Sequence, residues 1–454
     1  MQTHLSRRTK LVYGFGDTGF SLTLTIIGAY FAIFLTDVVG LRPGIAAIAI
    51  FIGRSWDYIN DPLIGHLSDR TRTRWGRRRP FLLFGALPFA LAYILMWVKP
   101  PFESQTLLAA YYAAVYVLFD AAATFVYMPY FALTPELTDN YDERTTLTTY
   151  RMFFSILGSL IAFTIPLLIV GSFQPQNAGR VLLMGTIFAF ASALPLLLVF
   201  LGTRERAEFL QQKQPSLKES LQAAFKNRPF VFGAVIFLLT WASMDILQTT
   251  LLYFVKYVVQ REAQGDGIMA TIFITAILAL PFWEWASRRW NKRLAYSAGV
   301  AFWALVQLAL ITLNASAALP LIFTLCVLAG VGVSAAHVLP WSILPDAIEW
   351  DEWQTGQRHE GMFYSLITLA QKIASSLAIP LVLLALEATG YIPNVPQQSE
   401  SALLGIRLVI GPIPALLLCS GIVFALLYPL SRESHRRIVQ ELEIRRAAAR
   451  EEVG

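Results

Sequence analysis

The chain has 454 residues, of which 56% are apolar and only 15% charged, with a mean hydropathy of +0.55. A soluble chain of this length carries about 25% charged residues, so composition excludes an ordinary soluble enzyme and predicts an all-α membrane protein. The net charge of +6 is gathered in short basic runs, which is a topological pattern and not a nucleic-acid footprint.

Arg7, Arg8 and Lys10 precede a long apolar run that no small-residue cleavage site ends early, so it reads as a first spanning helix and not a signal peptide. Apolar stretches long enough to span recur twelve times: 11–36, 44–65, 80–98, 106–134, 147–171, 180–202, 230–259, 268–286, 294–313, 319–344, 361–386 and 402–430. The polar stretch between the sixth and seventh divides the chain into an N-terminal bundle (1–202), a cytoplasmic linker (203–229), a C-terminal bundle (230–430) and a cytoplasmic tail (431–454). With both termini in the cytoplasm, 27 Lys and Arg fall to cytoplasmic segments. Five fall to the outer side: Arg42, Lys99, Arg180, Lys256 and Arg261. That imbalance predicts the orientation.

Internal similarity supports two related halves. M-P-Y-F-A-L-T-P-E-L-T-D-N-Y-D-E-R-T from Met128 and L-P-W-S-I-L-P-D-A-I-E-W-D-E-W from Leu339 each carry two prolines, then an acid and an acid-rich loop. Parallel six-helix repeats predict the major facilitator fold, twelve helices in two pseudo-symmetric bundles with a mid-membrane substrate site. Cys326 and Cys419 lie in apolar runs and support neither a disulfide framework nor a metal cluster.

The chemistry concentrates in Arg54 to Pro80, R-S-W-D-Y-I-N-D-P-L-I-G-H-L-S-D-R-T-R-T-R-W-G-R-R-R-P. Asp57 and Asp61 are four apart and share a helix face, with Arg54 a turn earlier. Buried charges cost about 2.5–3.5 kcal/mol each even on insertion scales, so they need partners or a task. With Asn60 they offer hard oxygens for a coupling cation, Na⁺ or H⁺. Alternatively, Asp57 is the structural partner of Arg54. Thr124, a turn after Asp120, either adds a hydroxyl to that cation or bonds its own backbone. Arg151 and Lys372 either bind a polar or anionic substrate group or balance buried acids. Asp245 and His337 fall in the same class, and Trp341 beside Pro340 can stack on a sugar face or an acyl chain. Gly65, Asp69 and Arg70 form a G-x-x-x-D-R at the cytoplasmic mouth, either an ionic gate or a solvated loop.

These stretches, together with Y-G-F-G from Tyr13, T-D-V-V-G-L from Thr36 and K-N-R-P-F from Lys226, resemble the glycoside–pentoside–hexuronide:cation symporters. This is the melibiose-permease branch of the major facilitator superfamily. The resemblance implies a cation site at Asp57, Asn60, Asp61 and Thr124. It also implies a substrate cavity lined by Arg151 and Lys372. Two sugar-binding acids of melibiose permease are matched here by Ser21 and Tyr127, and an indole by His337. Asp120 and Trp341 complete the expected cavity. P-F-W-E-W from Pro281, V-L-P-W-S-I-L-P-D from Val338 and Y-M-P-Y-F-A-L from Tyr127 also resemble the sodium-dependent lysophosphatidylcholine transporters.

The expectation is therefore a cation-coupled symporter of a glycoside, sugar or similar polar solute working by alternating access. The alternative is a lysophospholipid transporter on the same fold. No enzymatic nucleophile–base set, cofactor motif or nucleic-acid surface is present in the sequence. The predicted setting is a monomer among membrane lipids, multi-pass in the plasma (inner) membrane.

Overall fold

The computed structural model describes residues 5–138, 141–205, 224–356, 360–395, 397–430 and 432–451; most of the expected linker, 206–223, lies outside them. The described residues form helices joined by short turns. Among the described residues, ten helices are long and apolar enough to cross a membrane. Two further apolar stretches are interrupted. The first is α1 (Arg7–Ile26), which continues through wider π-helical turns at Ile27–Phe31 and Phe34–Val39. The second breaks at Trp56 into α2 (Pro43–Ser55) and α3 (Asp57–Arg70).

The chain divides into two compact units. One comprises Met1–Gln211, Gln248–Ala270 and Ile379–Ile406, and the other Gln212–Leu247, Thr271–Ala378 and Arg407–Gly454. The first unit holds α1 to α3, α4 (Arg79–Met96), α5 (Gln105–Leu137), α6 (Tyr141–Val170) and α7 (Ala178–Gly202). It also takes the end of α8 (Arg228–Tyr253), which runs on into a π-helical stretch at Phe254–Val258.

Within this unit α1 packs on α6 and α7, and α2 and α3 pack on α5. Missing side chains permit the close approaches. A Cβ on Gly158 of α6 would meet Ser21 Oγ at 2.2 Å, and one on Gly53 of α2 would meet the Tyr116 ring of α5 at 2.4 Å.

The second unit holds α9 (Gly265–Arg289) beyond its first turns, α10 (Lys292–Leu310), α11 (Leu319–Thr355) and most of α12 (Glu360–Ala388). Most of α13 (Glu400–Ile410) belongs to the first unit, while α14 (Pro412–Leu426) and α15 (Arg432–Glu451) belong to the second. In the second unit α10 packs on α11 and α14, and the tail helix α15 on α11. Both prolines of the second repeat motif, Pro340 and Pro345, lie inside α11. Neighbouring helices supply the packing that lets such a helix run on past its lost hydrogen bonds.

Candidate functional site

The break at Trp56 shapes the acidic pocket. Ile59 and Asn60 both donate backbone hydrogen bonds to the Trp56 carbonyl, so a new helix starts with Asp57 in its first turn. An acid there faces the positive end of the α3 dipole. Asp61 follows one turn later, and α5 brings Thr124 against both. The Thr124 hydroxyl lies 3.2 Å from Asp57 Oδ1 and 3.3 Å from Asp61 Oδ1. Asn60 is buried and donates to the Asp120 carbonyl at 3.4 Å.

Oxygens about 2.4 Å from one hard cation sit about 3.4 Å from each other in an octahedral shell. The two Thr124 spacings fit that shell, so Asp57, Asp61 and Thr124 could together hold a small cation. The same carboxylates could take a proton.

A second site lies between α1 and α6. Arg151 of α6 packs over the Phe131 ring at 4.7 Å and meets Asp17 of α1, its Nε 3.5 Å from Asp17 Oδ1. Beside them, the Tyr13 and Tyr130 rings stand 5.1 Å apart, Tyr13 hydrogen-bonds Thr134 at 2.5 Å, and Tyr130 donates to the Tyr13 carbonyl at 2.6 Å. Asp17 was not singled out from the sequence; only its spacing four residues after Tyr13 could have placed it on that face. Ser21 donates to the Thr18 carbonyl and is buried against Gly158. Tyr127 is buried among Phe20, Phe89 and Phe131. These two matched positions thus turn into the helix packing.

In the second unit, Trp241, Phe237, Trp341 and Tyr364 form a continuous aromatic wall. Phe237 contacts Trp241 at 5.7 Å and Trp341 at 4.7 Å, and Tyr364 stacks on Trp341 at 6.4 Å. His337 lies 5.1 Å from the Trp241 ring and is exposed. Asp245, one turn from Trp241, accepts a hydrogen bond from Ser375, which follows Lys372 by three residues on α12. The expected cavity residues therefore fall into two sets: Asp120 and Arg151 in one unit, and His337, Trp341 and Lys372 in the other.

At the arginine-rich end, Gly65 lies against Met128 and Arg70 is exposed at the close of α3; the Asp69 side chain lies outside the described residues. The described ionic network uses other acids. Glu136 binds Arg77 at 2.7 Å and Arg78 at 3.0 Å, and Arg78 reaches Ser68. Glu205 accepts the backbone N–H groups of Arg77, Arg78 and Arg79, capping α4 from a distant part of the chain.

The opposite end of α1 holds a cluster that sequence reasoning touched only as a motif. Asp37, fully buried, accepts hydrogen bonds from Thr36 (2.8 Å), Tyr391 (2.5 Å) and Tyr257, and pairs with Lys256 at 2.5 Å. Lys256 also donates to the Phe173 carbonyl and to Asn394. In the sequence Lys256 counted as an ordinary charge at an outer helix end, yet here its side chain is only 9% exposed.

A family model described as "MFS/sugar transport protein" matches residues 12–432. The chain is 35% identical to an uncharacterized symporter of Synechocystis sp., sll1374, across 96% of each chain. It is 30% identical to sodium-dependent lysophosphatidylcholine symporter 1-A of Danio rerio, across 96% of this chain and 88% of that one. The crystal structure of the nucleoside transporter NupG matches with a TM-score of 0.63 and 13% identity, across 93% of this chain and 97% of that one. That last likeness is one of fold.

Proposed function

The chain belongs to the MFS/sugar transport family, and on that premise we propose that it is a sodium-coupled symporter whose substrate is an amphiphile with a phosphate-bearing head group, a lysophospholipid in chemical class. The observation that carries the coupling is the Thr124 hydroxyl held 3.2 and 3.3 Å from the carboxylates of Asp57 and Asp61. Sodium entering there offsets one unit of the negative charge of two half-buried acids, which is expensive to hold uncompensated within a membrane. Cation and substrate then favour the same conformation, and each raises the other's affinity by the same factor.

Arg151 supplies a guanidinium for the anionic group. Within the second unit, Phe237, Trp241, Trp341 and Tyr364 form an apolar aromatic surface of the kind an acyl chain packs on. A relative named as a lysophosphatidylcholine symporter supports that class. A glycoside is the second reading, favoured by the Trp341 indole, which offers a flat face for a sugar ring. The excess of Lys and Arg in alternate segments supports cytoplasmic termini.

Reconstituted into vesicles, the protein is expected to take up lysophosphatidylcholine faster with a sodium gradient than without, and Asp57→Asn or Asp61→Asn to remove that dependence. Uptake indifferent to Na⁺, to pH and to both substitutions would rule out coupling at this pocket. Thermal stabilisation by methyl glycosides but not by lysophosphatidylcholine would replace the lipid reading with the glycoside one.

A further inference from the structure

Asp17 has no role in the function just described, yet its placement bears on how that function works. Its side chain is 3% exposed, while that of Arg151 in front of it is 20% exposed. The pair is loose. At 3.5 Å it lies well outside the 2.7–2.9 Å of a charge-assisted hydrogen bond, and neither Asp17 Oδ1 nor Arg151 Nε has a hydrogen-bond partner. The Phe131 ring covers one face of the guanidinium, and Tyr13 and Ser155 lie within reach of the arginine and the acid respectively. Arg151 is thus partly open to solvent, while the acid beside it is sealed from it.

We propose that Asp17 is a positioning and specificity-determining residue, a resident anion behind Arg151 that orients the guanidinium and weakens its hold on the anionic group of an incoming substrate. The proposal rests on reading Arg151 as a substrate residue. A carrier has to release what it binds, and affinity differences within one site appear mainly in the off-rate. An arginine with no counter-charge in a low-dielectric site would grip an anion strongly. With Asp17 behind it, the two anions compete for one guanidinium, and the gap at Nε leaves the arginine free to lean toward the guest. A neutral amphiphile gains little from Arg151 and is indifferent to Asp17.

The test measures equilibrium binding of palmitoyl-lysophosphatidylcholine and of neutral monopalmitoylglycerol to the purified full-length protein. It also measures sodium-driven uptake of the lysophospholipid into vesicles. Asp17→Asn is expected to bind the phosphate-bearing lipid on the order of ten-fold more tightly while its maximal uptake rate falls, with monopalmitoylglycerol unchanged. Asp17→Glu, whose longer arm closes the gap to Arg151, is expected to bind the phosphate-bearing lipid more weakly than the wild type.

Opposite signs for the two substitutions separate this role from a structural one, in which both weaken binding. If Asp17→Asn does not accumulate as folded protein, the sign for Asp17→Glu decides alone. Unchanged or weaker binding by Asp17→Asn, or tighter binding by Asp17→Glu, overturns the proposal. Arg151→Gln checks the premise separately. If it binds the lysophospholipid like the wild type, or if the wild type does not bind it, the substrate reading fails whatever Asp17 does.

Discussion

Two acid–base pairs on α1 sit in the same compact unit, and they are built differently. Asp37 meets Lys256 at 2.5 Å, and three side-chain hydroxyls, from Thr36, Tyr257 and Tyr391, complete its carboxylate. Tyr253 in turn hydrogen-bonds Thr36 at 2.9 Å, and Asn394 donates to the Asp37 carbonyl at 2.5 Å. Asp17 meets Arg151 at 3.5 Å with polar atoms left over on both sides. Both acids are buried, so burial alone does not separate the two pairs. The difference lies in hydrogen-bonding capacity. A network with every position filled fixes one arrangement of the helices that contribute to it. A pair with capacity to spare can accept a third party.

The largest effect should come from the filled cluster. Asp37→Asn or Lys256→Met leaves one buried charge without its partner, which costs about 3–5 kcal/mol in buried pairs. Thermal unfolding in detergent is expected to show that loss, and the double variant Asp37→Leu with Lys256→Met to recover much of it. Asp17→Asn should cost less, about 1–2 kcal/mol, because water still reaches Arg151. Equal losses at the two pairs would erase the distinction.

Gly158→Ala should fall in between or just below, at about 1–3 kcal/mol for overpacking, since the added methyl meets Ser21 Oγ and the Thr18 backbone. It pushes α1 away from α6 and should therefore disturb lysophospholipid binding at Arg151 while leaving the Asp37 cluster in place. Binding unaffected by this change would mean that the α1–α6 contact does not position the arginine.

The smallest effect belongs to a pair near the surface. His435 of α15 lies 2.6 Å from Glu349 and 3.5 Å from Asp346, and Lys292 pairs with Asp346 at 2.5 Å. The hydrogen bond to Glu349 and the charges of Asp346 and Glu349 raise the His435 pKa against desolvation and Lys292. A raised histidine stabilises the docked tail fully below its ordinary value near 6.5, and that contribution fades as pH rises through the raised value. Hydrogen exchange along α15, corrected for intrinsic rates, is expected to speed up over that range in the wild type. It should not do so in His435→Gln.

The helical fold was largely legible because spanning stretches announce themselves by length and hydropathy. The two that fell short as continuous helices, α1 and the α2–α3 pair, are those carrying charge and irregular turns. The acids Asp57 and Asp61 were legible because four residues of spacing on one helix is a local fact. Thr124 could be paired with them only by knowing that α5 packs there, and the sequence left its own backbone as an equal partner. Asp17, Asp37 and Lys256 stayed hidden for the same reason, since the partners lie 134, 219 and 219 residues away along the chain. The break at Trp56 has Gly53 one turn before it, whose carbonyl accepts the Trp56 N–H, yet a single glycine inside an apolar run does not by itself announce a helix break. At the arginine-rich end, Glu136 and Glu205 proved to be described partners of the run, and neither spacing nor composition pointed from one to the other.

The wide turns of α1 and α8 have a consequence for how such a chain can vary. Asp37 lies in the π-helical stretch Phe34–Val39 and Lys256 in Phe254–Val258. Each wide turn houses an extra residue, and one residue corresponds to about 100° of helix rotation. Deleting a single residue within either stretch would swing one member of the pair away from the other while leaving everything before the turn in register. Sequence drift at this end should therefore be recorded in length, as one-residue gains and losses, whereas around Arg151 it should be recorded in residue identity.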